Sequence, residues 1–244
     1  MTCTVCKDSG WIYSKEGSTM CQCLRDQYLR AKLIQAGLKE DELNITIDSI
    51  TELSTTKGMK IKEYLKEYCG MIDGIIKNGL EIDGQSVKGM GLVMSGPYGC
   101  GKSFCSKAIV RHAIESGYSA RYTTLRWLRE EIKARMTDNT TAKIISFYKD
   151  GYDLLVLDEA GSSIGQHDSY PYEIFMEIMD SRYSSAKPTI LITNYGVKEM
   201  EKALEGRAWS RLRGRYWWVD FNDLPDLRIK KKVQTPKGRE CSKS

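Results

Sequence analysis

Apolar positions change their rhythm along this chain, and the changes mark its elements. Met59 to Asn78 carries Ile61, Tyr64, Leu65, Tyr68, Ile72, Ile75 and Ile76 at helical spacing, and Asn78-Gly79 supplies a stop. Leu24 to Leu38 predicts another helix, with Leu24, Tyr28, Leu29, Leu33 and Ile34 on one stripe. Between them, Lys39 to Thr56 has no clear period and reads as a linker into the next unit. From Gly91 onward short apolar runs alternate with helical ones. Strands are predicted at Gly91–Ser95, Ala120–Thr124, Leu154–Asp158, Thr189–Thr193 and Tyr216–Phe221. Helices are predicted at Lys102–Ser116, Arg126–Met136, Ala142–Lys149, Tyr172–Tyr183, Val197–Glu205 and Ala208–Arg213. The alternation predicts an α/β fold, a mainly parallel sheet with helices on both faces. Lys230 to Ser244 is basic and unpatterned and reads as a loose tail.

Composition narrows the class. A chain of 244 residues, 28 % charged and 41 % hydrophobic, suits one large soluble domain with a small appendage. No run of about 18 apolar residues occurs, so no membrane span is expected. The start, MTCTVCKDSGW, lacks the apolar core of a signal peptide, and a cytoplasmic location is expected. A net charge of +5 permits nucleic-acid contact without arguing for it.

Of eight cysteines, Cys3, Cys6, Cys21 and Cys23 crowd the start. In a reducing compartment such a cluster reads first as a metal site. Cys3-x-x-Cys6 and Cys21-x-Cys23 bracket a loop with Asp8, Gly10 and Trp11. Four thiolates can close a tetrahedral Zn²⁺ site, which a piece with so small an apolar core needs. Four free thiols or a labile disulfide are the alternatives.

Gly96-Pro97-Tyr98-Gly99-Cys100-Gly101-Lys102-Ser103 fits the phosphate-binding loop G-x-x-x-x-G-K-[ST]. It lies between a predicted strand and a predicted helix, the context the motif needs. Its glycines let backbone N–H groups surround phosphate oxygens at the positive end of the helix. Lys102 can reach the β- and γ-phosphates of ATP, and Ser103 can ligate Mg²⁺. Downstream, the strand Leu154–Asp158 ends in Asp158-Glu159. Asp158 can serve the Mg²⁺ shell, and Glu159 can polarise water for attack on the γ-phosphate. Asn194 ends the next strand, where its amide can orient that water; a plain turn is the alternative. Arg207, Arg211, Arg213 and Arg215 follow, and one can reach a neighbouring subunit's γ-phosphate. Arg228 can contact phosphate within its own subunit. Arg126 and Arg129, interleaved with Tyr122 and Trp127, are the candidates for single-stranded DNA, although Trp127 also suits a core.

The order GPYGCGKS, LLVLDEA, SRYSSAKPTILITNY, GRAWSRLRGRYWWVDF, DLR resembles the DnaC/DnaI/IstB group of AAA+ ATPases, nearest the bacterial and phage replicative helicase loaders. The likeness spans roughly 45–230. It implies a RecA-like five-stranded sheet, ATP at Gly96–Ser103, and a Walker B pair at Asp158 and Glu159. It places sensor 1 at Asn194, the arginine finger at Arg211 with Arg207 second, and sensor 2 at Arg228. The chain departs from larger AAA+ proteins in having little beyond Arg228. The cysteine module resembles the zinc domain of such loaders, which grips a hexameric replicative helicase. Three units are expected: a zinc module over 1–45, an AAA+ domain over 46–229 and a basic tail over 230–244. The expected activity is ATP hydrolysis during helicase loading on single-stranded DNA, with self-association through the ATP sites. The alternatives are an IstB-like transposition helper, a small-molecule kinase and an adaptor gated by nucleotide without turnover.

Overall fold

The strands predicted from Gly91 onward form one sheet. The computed structural model describes residues 2–50, 53–134, 141–160, 170–204 and 206–227, so Arg228 and the 230–244 tail lie outside the described residues. The sheet comprises β5 (Gly91–Ser95), β6 (Ala120–Thr124), β7 (Leu154–Asp158), β8 (Thr189–Thr193) and β9 (Tyr216–Asp220). Its order is β6-β7-β8-β5-β9, and every pairing is parallel. Parallel strands need crossover helices, and these cover both faces.

Side-chain alternation divides the core in two. On one face Leu92, Met94, Leu154, Val156, Ile190 and Ile192 meet α2 (Thr56–Gly70) and α3 (Lys102–Glu115). On the other, Val93, Leu155, Leu157 and Leu191 pack against α4 (Leu125–Ala134), α5 (Thr141–Ser146), α6 (Tyr170–Ser184), α7 (Val197–Ala203) and α8 (Arg207–Arg215).

The N-terminal third departs from the periodicity reading. The cysteine segment holds an antiparallel hairpin, β1 (Trp11–Ser14) with β2 (Gly17–Met20). Seven of its eight residues are exposed, so no alternation betrays it. α1 runs over Gln22–Gln35, but Tyr28 and Ile34 of the expected stripe face solvent and Leu33 is buried. The stretch read as a linker contributes Leu43, Ile47, Ile50 and Leu53 to the main core. The expected 59–78 helix begins three residues early, because the Thr55 hydroxyl accepts from Gly58 N at 3.1 Å. It ends at Gly70, and a π turn follows over Gly74–Asn78. A second hairpin, β3 (Glu81–Ile82) with β4 (Gln85–Ser86), turns on Asp83-Gly84, both with positive φ.

The sheet edge opposite the loop ends is fastened by Arg182 of α6, which is fully buried. Its guanidinium donates to Thr189 Oγ1 and to the carbonyls of Tyr148, Lys149, Tyr152, Asp153 and Pro188, at 2.8–3.3 Å. Burial pulls its pKa down to about 10, which still leaves it charged at neutral pH. Arg182→Ala orphans those acceptors and is expected to cost about 3 kcal/mol or more. The midpoint of urea unfolding measures this, and an unchanged midpoint contradicts it.

Candidate functional site

The carboxyl ends of β5, β7 and β8 converge because the strands are parallel and adjacent, and open α/β sheets bind ligands at that edge. A cavity of about 310 Å³ lies there, lined by Tyr98 to Phe104, Asp158, Glu159, Ile192, Thr193 and Asn194. Ile45, Ser49, Ile50 and Leu227 also line it. The volume and the mixture of apolar wall and convergent polar groups suit a mononucleotide. The structure thus brings together residues more than 140 positions apart in sequence, from Ile45 to Asn194. Ile45, Ser49 and Ile50 were not among the predicted site residues, since their segment carries no motif.

The glycine loop turns where only glycine is comfortable. Gly99 has a φ of +79°, and a Cβ there would run into the Asp226 carboxylate. Leu227 N donates to Gly99 O at 3.0 Å, so the segment after β9 lies over the loop. α3 starts at Lys102, with its N-terminus facing the loop. The Lys102 ammonium is buried and donates to Gly96 O and Pro97 O, each at 2.6 Å, and to Asn194 Oδ1 at 3.3 Å. These are neutral acceptors. Phosphate oxygens are stronger partners for the same charge.

Ser103 and Asp158 meet directly, Oγ to Oδ2 at 2.6 Å. Asp158 is buried; its Oδ2 also accepts from the Tyr122 hydroxyl, and its Oδ1 from Glu159 N at 2.7 Å. A hydroxyl beside a carboxylate is a donor set that Mg²⁺ accepts when phosphates supply further oxygens. Burial pushes the Tyr122 hydroxyl pKa upward, so it remains a donor. Glu159 follows with a φ of +58°, an uncommon conformation for a non-glycine residue. That bend leaves its side chain exposed at the cavity while Ala160 N is tied to Ile192 O at 2.9 Å.

The other predicted residues lie elsewhere. Arg211 forms an ion pair with Asp180, and its guanidinium lies 5.1 Å from the centre of the Tyr183 ring. It does not line the chain's own cavity. The side chain of Arg207, like Arg228, is outside the described residues. Arg126 is exposed at the start of α4, and Arg129 pairs with Glu130 at 3.3 Å. Trp127 is 70 % exposed and not a core residue, because Leu125, Leu128 and Ile132 form the buried face of α4.

Far from the cavity in sequence, the four N-terminal cysteines place their sulfurs within 4.8 Å of one another. Cys3 and Cys21 are 3.8 Å apart, Cys6 and Cys23 3.4 Å. A disulfide needs about 2.05 Å, whereas the edge of a tetrahedral zinc–thiolate site is about 3.8 Å. Gly10 N donates to Cys6 Sγ at 3.3 Å, as metal-bound sulfur favours. Backbone donors at Cys6 and Val5 pull the Cys3 thiol down to about 6, while its hydrogen bond with Cys6 pushes Cys23 up. The donor set fits Zn²⁺. Purified reduced protein is expected to carry about one zinc per chain, and Cys6→Ser to lose it while the sheet domain stays folded. Metal analysis finding no zinc contradicts the site.

Comparison with known proteins places this geometry. The chain is 29 % identical over 165 residues to the replicative helicase loader DnaC of Escherichia coli K12, covering 67 % of this chain. It spans about 60 % of that relative's length. Among solved structures, the DnaC helicase loader superimposes with a TM-score of 0.61 at 16 % identity, covering 75 % of this chain and 99 % of that one. DnaI gives 0.60 at 18 % identity, covering 79 % and 95 %. At these identities the structural likeness establishes the fold, that of AAA+ proteins. The profile of the IstB-like ATP binding proteins matches residues 87–210, just over half of the 244, and spans the loop, the acidic strand and Asn194. The chain therefore belongs to the IstB-like ATP-binding family, and its fold is the one that the DnaC and DnaI helicase loaders share.

Proposed function

We propose that this protein is an ATP-hydrolysing loader of a hexameric replicative helicase. The observation that carries the ATP reading is the convergence of Lys102, Ser103, Asp158, Glu159 and Asn194 on one cavity. In this reading Gly96 to Ser103 cradle the phosphates. Lys102 leaves its carbonyl partners for the β- and γ-oxygens, and Ser103 with Asp158 holds Mg²⁺. The metal supplies charge neutralisation on the phosphates when bound. Glu159 polarises the attacking water, and Asn194 orients it. Arg228 contacts phosphate in cis. The loader reading is supported by the likeness to DnaC and by the cysteine module, which we assign to zinc and to the helicase contact. Single-stranded DNA is assigned to the exposed Arg126 and Trp127, with Arg129 beside them.

Arg211 is assigned to the neighbour's ATP in a self-assembled form. Arg211→Ala should bind ATP nearly as the parent does and lose turnover stimulated by helicase or DNA. Mixing it with Glu159→Gln should restore part of that turnover, because an intact finger then meets an intact acid pair. Absence of recovery, with subunit contact established separately, places Arg211 outside the shared site.

A second reading, an IstB-like transposition helper, draws on the family match. One experiment separates the two: capture of partners by this chain from its native cell with ATP present. A replicative helicase supports the loader; a transposase in its place supports the helper. ATP turnover measured with the captured partner and single-stranded DNA tests the enzymatic claim, and negligible turnover makes the chain a nucleotide-gated adaptor.

A further inference from the structure

Asp158 has a partner that no motif announces. Tyr122 sends its hydroxyl to Asp158 Oδ2 at 2.5 Å, the same oxygen that accepts from Ser103. In register, Thr124 faces Asp158 and Tyr122 faces Val156, so Tyr122 reaches the carboxylate along the diagonal of one sheet face.

The ring and backbone of Tyr122 are gripped by the segment that joins α1 to the sheet domain. Tyr122 N donates to Ala36 O at 2.7 Å, and Arg121 donates to Gln35 O at 2.6 Å. Gly37, with a φ of +98°, lies so close to Tyr122 O that a Cβ there would overlap it. Lys107 Nζ stands 4.6 Å from the centre of the ring and is bonded to Glu42 Oε1 at 2.5 Å. Only 11 % and 10 % of these two side chains is exposed, so the pair is little screened by water. The other oxygen of Glu42 accepts from Lys39 N at 2.9 Å. Lys107 lies four residues after Ser103 on α3, so one helix face carries both the metal-facing hydroxyl and the cation on the ring. The hydroxyl thus lands on the carboxylate assigned to Mg²⁺.

We propose that Tyr122 is a positioning residue for Asp158, and that the Glu42–Lys107 pair holds it in place, so that the connector from the cysteine module sets divalent-metal affinity at the nucleotide site. The proposal rests on the Mg²⁺ reading of Ser103 and Asp158. A donor behind a metal-facing carboxylate fixes its rotamer, and loss of such a partner costs about 10–100-fold in metal affinity.

The test uses the full chain with a non-hydrolysable ATP analogue and Mn²⁺, with free Mn²⁺ read by electron paramagnetic resonance. Tyr122→Phe keeps the ring and removes the hydroxyl. It should raise half-saturating Mn²⁺ about tenfold or more, while analogue affinity in excess chelator stays at the parent value. Glu42→Gln should give a smaller shift in the same direction, and that shift should vanish in the Tyr122→Phe background. If Glu42→Gln fails to fold, Glu42→Gln with Lys107→Met removes both charges and should reproduce the shift. A Tyr122→Phe protein that takes up Mn²⁺ as the parent does overturns the positioning role. A Glu42 shift that adds in full to that of Tyr122→Phe overturns the link. Failure of the parent itself to bind Mn²⁺ with the analogue overturns the reading of the metal site, and this proposal with it.

Discussion

Lys102→Ala is expected to weaken ATP binding by about a hundredfold or more. The ammonium is buried beside the glycine loop, where its present acceptors are two carbonyls, an amide oxygen and, at 3.5 Å, the Cys100 sulfur. Exchanging these for two phosphate oxygens replaces neutral acceptors with charged ones, each bond worth about 1.5–3 kcal/mol. Losing both is about 3 kcal/mol or more, over a hundredfold in Kd. The alanine variant also leaves Gly96 O and Pro97 O without that donor, so its melting curve belongs with the measurement. Calorimetric titration with ATP and Mg²⁺ reads the result. A folded variant that binds within tenfold of the parent removes Lys102 from the phosphate site.

Glu159→Gln should separate binding from turnover. The side chain stands exposed at the cavity, so an amide of the same shape fits there without repacking a core. Its charge is not assigned to the metal, and ATP affinity should stay within a few-fold of the parent. An amide cannot draw a proton from water, and loss of such a base costs about 10²–10⁴-fold. Steady-state phosphate release should fall in that range. Hydrolysis at the parent rate moves the base elsewhere in the cavity.

The three central strands β5, β7 and β8 were legible from sequence because each is buried on both faces and reads as a short, mainly apolar run. β9 is legible for a different reason, as the aromatic run Tyr216-Trp217-Trp218. The N-terminal third was not legible in the same way. Its hairpin is exposed and tied to the cysteine cluster, so no apolar rhythm marks it. Leu43, Ile47, Ile50 and Leu53 fall at steps of 4, 3 and 3, which a helix would also give, yet they enter the core from turns and irregular backbone, so spacing is no guide there. Asp83-Gly84, by contrast, is a local turn signal for the β3–β4 hairpin.

The candidate site divides similarly. Backbone chemistry fixes the glycine loop, and strand ends fix the acids and Asn194, so their spacing can be read directly. Tyr122 could not be read as a partner of Asp158, because that contact depends on which strand lies beside β7. Sequence alone gives Arg211 as the finger position and says nothing of its neighbours in the single chain, which are Asp180 and Tyr183. Use of Arg211 on a neighbouring subunit therefore requires exchange of that ion pair at the subunit contact.

The central claim is tested most directly by transfer of the hexameric replicative helicase from the same genome onto closed circular single-stranded DNA. Retention of helicase on the circles is read after a salt wash. The account predicts retention that requires this chain and ATP together and is lost with Lys102→Ala. Equal retention without the chain, or with the Lys102→Ala variant, contradicts it.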